Sequence, residues 1–288
     1  MNILIIIIIL IIKCQTCGLF SFYIHYLGCI KIFLNKGYIP IIDLVSYPNI
    51  FNKFNPNYSN KNPWELFFNQ PYGYTLENIK KYATNKTNFD CMPNHSDKPD
   101  LYTLYINKNL VDFWHNLANK YIPIKKEIIN EAILIREKLY NGLYNVLGVL
   151  MRGTDYIAMR PKNHCIPPTI EILIEDIKDM DKKNNYDWIF ITTEDDLIRE
   201  KLINTFYNKV KYLKSKNLFK YNYKEKNFIA LIKNIKIDYN YMKIYLINII
   251  ILSKSKDIIC ARTNGSQAAF ILSNGFRNNK VYYLGEYK

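Results

Sequence analysis

The sequence predicts an α/β protein of two domains built on parallel sheets, and three observations support this prediction. Short apolar runs alternate with segments of helical periodicity along most of the 288 residues, as in proteins whose parallel strands are joined by helices. The length is sufficient for two domains of ordinary size. Three apolar runs between residues 145 and 288 each end at polar residues, as buried parallel strands do where they reach a ligand crevice.

The N-terminal half begins with a β-α-β pattern. Residues 3–12 are an unbroken apolar run that we interpret as a strand. A membrane or signal segment is the alternative, although the run is too short to span a bilayer and no Lys or Arg precedes it. A helix over residues 19–34 and a strand over residues 38–42, ending at Asp43, complete the unit.

Residues 46–100 are rich in Asn, Pro and Tyr and predict loops around one apolar cluster at residues 62–68. Pro63 predicts the start of a short helix. Trp64 is expected to anchor this loop to the core, and stacking of an acceptor sugar on its ring is the alternative.

Two helices, at residues 110–117 and 123–140, follow these loops. We place the domain boundary after them. Residues 1–140 then form one domain and residues 145–288 form the other.

The C-terminal half predicts a doubly wound parallel sheet. Its strands are expected at residues 146–151, 188–191, 210–213, 257–260 and 280–284, and its helices at residues 170–180, 196–206, 241–252 and 266–272. Residues 161–168 predict a loop that contains His164, and residues 214–236 predict a basic insertion. The carboxyl ends of parallel strands meet at one edge of a sheet, so the residues that follow them are candidates for a shared site.

Arg152 is the first of these candidates, because it follows a buried strand and precedes Gly153, Thr154 and Asp155. Its guanidinium is suited to a bidentate pair with a phosphate. A surface arginine, or an ion pair with Asp155, is the alternative.

Two other strand ends are expected to contribute. Thr263, Asn264, Gly265 and Ser266 open a predicted helix, whose N–H groups and dipole favour an anion, with simple helix capping as the alternative. Glu194 and Asp195 follow another strand, where a carboxylate accepts hydrogen bonds from ribose hydroxyls or base amino groups. Capping of the next helix is the alternative for Asp195. His164 is either a substrate contact or an ordinary loop residue.

Composition excludes some classes of function. The net charge of +14 fits an anionic ligand, an anionic membrane surface or nucleic acid, but no nucleic-acid-binding motif is present, so we expect no such partner. The glycine-rich phosphate loops are absent, which argues against a dinucleotide dehydrogenase and a P-loop enzyme, and we expect no dependence on a metal.

The six cysteines include one C-x-x-C pair, Cys14 and Cys17, and predict unpaired thiols in a reducing compartment. Because no clear signal segment is visible, we expect a cytoplasmic protein. Peripheral association with a membrane stays open.

Three motifs resemble those of the fucosyltransferase superfamily, which includes the α-1,2-, α-1,6- and protein O-fucosyltransferases. G-V-L-M-R-G-T-D, from Gly148 to Asp155, resembles G-V-H-x-R-R-x-D. I-T-T-E-D, ending at Asp195, is similar to A-T-D-D, and residues 264–266 fall where that family has a third, Ser/Thr-rich motif. The segments C-G-L-F-S, G-Y-I-P-I-I-D and N-P-W-E-L-F-F also resemble microbial relatives, so the resemblance covers nearly the whole chain.

The resemblance implies two Rossmann-like domains facing a cleft, the glycosyltransferase B arrangement, with residues 1–140 on the acceptor side. It implies GDP-fucose as the donor substrate, no cofactor or metal, and transfer of fucose with inversion to a glycan or another hydroxyl acceptor. Arg152, with Gly153 and Thr154 beside it, would bind the β-phosphate and stabilise charge on the departing GDP. Asp155 would orient Arg152 or take the proton of the acceptor.

The resemblance also implies roles at the other strand ends. Glu194 and Asp195 would approach the guanosine, and Ser266 with the neighbouring amides would hold the pyrophosphate. Leu150 stands where the family has His, and Gly153 where it has a second Arg. Because of these departures, two alternatives stay open: a transferase of the same fold that uses another nucleotide sugar, and a catalytically inactive, membrane-attached binding protein.

Overall fold

The computed structural model describes residues 6–11, 13, 17–53, 61–82, 88–90, 93–213 and 238–288. The predicted basic insertion at residues 214–236 lies outside these ranges. The chain divides into two compact units, Met1–Ile129 with Ile237–Lys243 and Asn130–Lys236 with Ile244–Lys288. This division lies about ten residues before the predicted boundary, within a long helix at Lys126–Tyr140.

The first unit contains a three-stranded parallel sheet in the order β2-β1-β3. Its strands are β1 (Ile6–Ile11), β2 (Tyr38–Ile42) and β3 (Asn88–Asp90), and α1 (Leu19–Asn35) connects the first two. A run of Ile suits the central strand, because branched side chains pack well when both faces are buried. Residues 6–11 of the apolar N-terminal run therefore form a strand, as predicted. Within the described residues, no helix is both long enough and apolar enough to cross a bilayer.

Trp64 anchors the long connection after β2 to the core of this unit. Its side chain is fully buried, its ring stacks on Phe68 at a centroid distance of 4.3 Å, and it meets Tyr26 of α1 edge to face at 5.2 Å. The predicted short helix is a 3-10 turn over Pro63–Leu66, capped by the side chain of Asn62. The buried ring offers no face to a sugar, so the anchoring interpretation is confirmed.

Four further helices follow in the chain: α2 (Leu76–Tyr82), α3 (Leu101–Leu104), α4 (Lys108–Tyr121) and α5 (Lys126–Tyr140). The sequence analysis missed β3, α2 and α3 and predicted loops in their place. Each is seven residues or shorter, too short to establish a periodic pattern.

The second unit contains a five-stranded parallel sheet in the order β6-β5-β4-β7-β8. The strands are β4 (Val146–Leu150), β5 (Trp188–Thr192), β6 (Val210–Lys211), β7 (Asp257–Ala261) and β8 (Asn278–Tyr282). The helices are α6 (Thr154–Met159), α7 (Ile170–Asn184), α8 (Asp196–Thr205), α9 (Tyr239–Leu252) and α10 (Asn264–Ser273). The predicted strand at residues 210–213 is only two residues long, and α6 was not predicted.

Helices cover both faces of this sheet, so the doubly wound arrangement is confirmed. On one face, Leu147 and Val149 of β4 share a buried cluster with residues of α7 and α8. On the other face, Gly148 allows a close approach: a Cβ atom there would lie 2.7 Å from Leu252 of α9 and 2.8 Å from the hydroxyl of Ser255. Residues that alternate along β4 therefore pack against helices on opposite faces of the sheet.

The cysteines depart from the expectation of unpaired thiols. Cys17 and Cys29 are each part of a disulfide bond, whereas Cys165 and Cys260 are free and buried. The prediction was wrong for the first two, because bonding depends on which thiols the fold brings together and not on sequence spacing. Disulfide bonds are typical of oxidising compartments.

Asp257, at the start of β7, is the centre of a buried polar network. Its carboxylate accepts hydrogen bonds from the Arg277 guanidinium, the Tyr186 hydroxyl and the backbone N–H of Asn278, and it is fully buried. Burial by itself raises the pKa of this carboxyl, but the hydrogen bonds from Arg277, Tyr186 and Asn278 outweigh it and hold the pKa below its ordinary value. The network joins β7 to β8 and to the residues that precede β5.

We predict that Asp257→Asn lowers the free energy of unfolding by about 2–4 kcal/mol at neutral pH, because it leaves Arg277 without its buried counter-ion. The folded-state pKa of Asp257 is depressed. Its stabilising effect is therefore complete above the unfolded-state pKa of about 3.9 and is lost as pH falls through the folded-state pKa.

Urea unfolding between pH 7 and pH 2.5 measures this effect. The difference between wild type and Asp257→Asn is expected to shrink below about pH 4. Asp179→Asn, at an exposed position of α7, serves as the control and is expected to stay within about 0.5 kcal/mol of wild type. A gap between wild type and Asp257→Asn that is constant with pH would contradict the assignment.

Candidate functional site

The candidate site lies where the direction of strand addition reverses in the second sheet. From β4 the chain proceeds through β5 to β6 on one side, and β7 and β8 lie on the other. Open parallel sheets bind ligands at this switch point, beyond the carboxyl ends of the two central strands. In this chain those strands are β4 and β7.

The strand register aligns the polar residues that follow these strands. Leu150 pairs with Thr192 of β5 and with Cys260 of β7, so the three strands end side by side. Arg152, Glu194 and Arg262 each stand two residues beyond this row. The structure therefore brings together the three strand ends that the sequence analysis singled out, and it adds Arg262.

Arg152 is partly exposed and lies against an aromatic ring. The centre of its guanidinium is 4.7 Å from the ring centroid of Tyr156 in α6, a cation–π contact. The exposed His164 meets the same ring edge to face, with centroids 5.2 Å apart. Tyr156 is 9% exposed and separates the two basic residues. The sequence analysis missed Tyr156, which falls one residue after the motif.

The loop containing His164 is held by the C-terminal residues of the chain. The N–H of Asn163 donates to the carbonyl of Tyr287, and the N–H of Tyr287 donates to the carbonyl of His164, both at 3.0 Å. The next residue, Cys165, forms an isolated antiparallel bridge with Glu286. His164 is therefore fixed by backbone pairing, and its role in substrate contact stays a prediction.

Arg262 is the second cation at this edge. Its guanidinium pairs with Glu286 at 2.8 Å, and its carbonyl accepts a hydrogen bond from the Cys165 thiol at 2.9 Å. Burial raises the pKa of this thiol to about 11, against the opposing effect of Arg262 and Arg152. Both arginines therefore lie near this buried thiol, at the ends of β4 and β7. A sequence signal existed, since Arg262 follows β7 as Arg152 follows β4.

The start of α10 is closed by a capping box. The Thr263 hydroxyl accepts from the N–H of Ser266 at 3.0 Å, and the Ser266 hydroxyl accepts from the N–H of Thr263 at 2.9 Å. Ser266 is fully buried and its hydroxyl also lies 2.8 Å from the carbonyl of Ala261. The capping alternative thus describes this side chain. The first turn of α10 carries no acidic residue, and pyrophosphate binding by its dipole and amides stays a prediction.

Gly265, in the first turn of α10, allows the helix to pack closely against its neighbours. A Cβ atom there would lie 2.8 Å from the Tyr245 hydroxyl and 3.6 Å from Leu150. Leu150, which replaces the His of the resembled motif, is 6% exposed. Its side chain packs in the interior and leaves little surface for a nucleotide base. Asn264 is the first residue of the helix and is partly exposed.

Asp195 caps α8 and packs on Gly153. Its Oδ1 accepts hydrogen bonds from the N–H groups of Leu197 at 3.0 Å and Ile198 at 3.1 Å, and the residue is 1% exposed. Its Oδ2 lies 2.2 Å from the position that a Cβ atom of residue 153 would take. This is the capping role that was the alternative for Asp195. Contact with a guanosine would require the carboxylate to become exposed.

The same packing explains the departure from the resembled motif at residue 153. Any side chain there, including the second arginine of that motif, would displace Asp195 from its cap. The backbone of Thr154 and Asp155 begins α6, but their side chains lie outside the described part of the chain. The predicted roles of these two residues stay predictions, as does the role of the partly exposed Glu194.

Two buried polar atoms near this edge have no hydrogen-bond partner among the described residues: Thr192 Oγ1 and Gln267 Oε1. Thr192 ends β5 beside Leu150, and Gln267 follows Ser266 in α10. Both residues are more than 90% buried. A buried polar atom without a partner costs free energy, so these two atoms are candidates for contact with a ligand. Sequence reasoning did not find Gln267, because only its burial distinguishes it.

Among the described residues, no group of three or more His, Cys, Asp or Glu side chains is arranged to hold a metal ion. The positive groups of the edge are instead the two arginines and the N-terminus of α10.

Comparisons with known proteins give the following results. No protein-family model and no curated protein matches the sequence. Among solved structures, the chain is similar to the alpha-1,6-fucosyltransferase NodZ soaked with GDP-fucose, with 12% identity, 92% of each chain covered and a TM-score of 0.49. It is also similar to the fucosyltransferase NodZ from Bradyrhizobium, with 11% identity, 91% of each chain covered and a TM-score of 0.48. POFUT1 in complex with GDP gives 9% identity, 96% and 98% coverage and a TM-score of 0.49.

We predict that Gly153→Ala destabilises the protein by about 1–3 kcal/mol, because the added methyl group collides with an aspartate that two backbone N–H groups hold in place. Gly18→Ala is the control: the φ angle of Gly18 is −79°, and no described atom lies within 4 Å of its Cβ position. Urea unfolding of both variants tests the packing. Equal stability of Gly153→Ala and wild type would show that Asp195 does not occupy this space.

Proposed function

We propose that the chain is a glycosyltransferase that binds a nucleotide sugar, GDP-fucose, at the carboxyl edge of the second sheet and transfers fucose to a hydroxyl of a glycan or another acceptor. The observation that carries this proposal is the position of Arg152. It stands at the switch point of a parallel sheet, level with Arg262 and near the N-terminus of α10. A diphosphate fits this arrangement, because two guanidiniums and a helix dipole favour negative charge.

In the proposed mechanism, the acceptor hydroxyl displaces the nucleoside diphosphate directly. Attack from the face opposite the leaving group inverts the configuration of the transferred sugar. Arg152 stabilises the charge that develops on the departing diphosphate, so fixed positive groups of the protein replace a metal ion. Asp155 stays our candidate to orient Arg152 or to take the proton of the acceptor.

One observation on the site of the base favours a second candidate nucleotide. Leu150 and Asp195, at positions where the resembled motifs suggest nucleotide contacts, are both buried. Among the described residues, Thr192, Gln267 and the partly exposed Glu194 are our candidates for contact with a base or ribose. A transferase that takes another nucleotide sugar is therefore the alternative to be tested beside GDP-fucose.

A membrane-attached, inactive protein is a weaker alternative, because the apolar run that would serve as its anchor is the central strand of the first sheet. For localisation, the disulfide bonds of Cys17 and Cys29 favour an oxidising compartment over the expected cytoplasm.

The test of the proposal is calorimetric titration of GDP and GDP-fucose, with UDP and ADP as competitors for the alternative. Wild type is expected to bind GDP in the micromolar range, and Arg152→Ala to weaken binding by about 2–3 kcal/mol, or roughly 30- to 150-fold. Arg152→Lys is expected to recover only part of this loss, because an ammonium does not form the bidentate pair.

Arg160→Ala removes an exposed cation of the same segment and is expected to bind GDP within about twofold of wild type. Failure of wild type to bind GDP or GDP-fucose would exclude the GDP-fucose proposal. Preferential binding of UDP or ADP would support the second candidate.

We predict that Tyr156 positions Arg152 and that the ring, not the hydroxyl, is responsible. Tyr156→Leu removes the cation–π contact and is expected to weaken GDP binding about fivefold, which corresponds to about 1 kcal/mol. Tyr156→Phe keeps the ring and is expected to bind within about twofold of wild type. The same calorimetric titration, with circular dichroism to confirm folding, measures both. Equal weakening by the two variants would contradict this role.

A further inference from the structure

The first unit contains a cavity of about 480 Å³, and none of the residues that line it belongs to the second sheet. This volume is within the usual range of ligand pockets, about 300–1,000 Å³. The cavity lies beside the segment that follows β2, and all of its lining residues fall within the first unit. The sequence analysis gave this segment only an anchoring role through Trp64.

Glu65, at the wall of the cavity, is held by three hydrogen-bond donors that all reach one of its oxygens. Oε1 accepts from the backbone N–H of Leu76 at 2.7 Å, from Nε2 of Gln70 at 3.0 Å and from Nδ2 of Asn62 at 3.3 Å. Asn62 and Gln70 are buried and bond in turn to the backbone of Ile42. The carboxylate is therefore fixed at the end of β2 through two amide side chains.

The second oxygen, Oε2, receives no hydrogen bond from the described residues that line the cavity. Glu65 is partly exposed. Its two oxygens therefore differ: Oε1 supports the fold, whereas Oε2 belongs to a side chain that lines the cavity and is left for a ligand. Such a pre-positioned acceptor is typical of a binding site and is unnecessary for a purely structural carboxylate.

The charges around the cavity indicate the kind of ligand. Lys61 and Lys125 contribute two ammonium groups, and Glu65 and Glu77 contribute two carboxylates. The formal charges cancel, so neither a strong anion nor a strong cation is favoured over a neutral molecule. Hydroxyl groups satisfy both kinds of partner, because each can donate to a carboxylate and accept from an ammonium.

The remaining wall suits the carbon skeleton of a sugar. Tyr74 and Leu66 line the cavity and are partly exposed. An aromatic ring and an aliphatic side chain beside fixed polar groups match the alternating C–H and O–H surface of a carbohydrate.

We propose that this cavity binds a neutral carbohydrate and that Oε2 of Glu65 accepts hydrogen bonds from its hydroxyls. The assignment of this carbohydrate as the acceptor of the transfer rests on the proposed function, whereas carbohydrate binding itself does not. A zwitterionic ligand such as a free amino acid matches the same charges and is the competing outcome of the test.

The experiment is saturation-transfer NMR on the full chain without nucleotide. The probes are glucose, galactose, mannose, fucose and N-acetylglucosamine, together with lactose and, for the competing outcome, glycine and glutamine. Wild type is expected to transfer saturation to at least one sugar and to neither amino acid. Transfer only to an amino acid, or to no probe, would overturn the proposal.

Glu65→Gln is the decisive variant, because its amide oxygen can accept the same three hydrogen bonds while an N–H₂ group replaces Oε2. It is expected to keep the melting temperature of wild type and to lower affinity for the bound sugar by about tenfold or more. Glu200→Gln, on the exposed side of α8, is the matched control and is expected to bind the sugar as wild type does. Unchanged sugar affinity in Glu65→Gln would overturn the role of this carboxylate.

Titration of GDP into the same proteins separates this proposal from the proposed function. Sugar binding that depends on Glu65, without any binding of GDP, would support the cavity and refute the GDP-fucose site. GDP binding that is equal in wild type and Glu65→Gln, with no binding of sugar by either, would refute the cavity alone.

Discussion

The parallel pairing of β4 with both β5 and β7 is the constraint on which the candidate site depends. The register sets Leu150, Thr192 and Cys260 side by side. The residues that follow them therefore lie at the same edge of the sheet and at the same level. A central parallel strand must be covered on both faces, and Gly148 permits this because it lets α9 approach β4 closely. The position of Arg152 therefore depends on the packing of an apolar strand.

Several polar residues at this edge serve the fold. Ser266 and Asp195 are buried because they cap α10 and α8, and a helix that ends in the interior needs such partners for its first N–H groups. The caps determine where these helices begin. Among the described residues, the candidates for contact with a ligand include Arg152, the N-terminus of α10, and Thr192 and Gln267, whose side-chain oxygens have no partner there.

In the first unit, buried polar residues at the end of β2 likewise support the fold. Asn62 and Gln70 satisfy the backbone of Ile42 and hold Glu65, so the same network that closes the strand holds a carboxylate at the wall of a cavity. Rigid support of this kind lowers the entropy lost when a ligand binds. The two units thus each place a fixed charged side chain near the carboxyl end of a parallel strand.

The sequence by itself determined the elements with strong local signals. The apolar runs of β1, β4, β5 and β7, the position of Arg152 after its strand and the polar segment 263–266 at the start of α10 are readable because each depends on neighbours in the chain. Only the tertiary structure decided the strand order, the burial of Asp195 against Gly153, and the association of Arg262 and Arg152 with Cys165. These depend on residues that are distant in sequence, so no local pattern records them. The disulfide bonds of Cys17 and Cys29 belong to the same class, because bonding requires the fold to bring two thiols within reach.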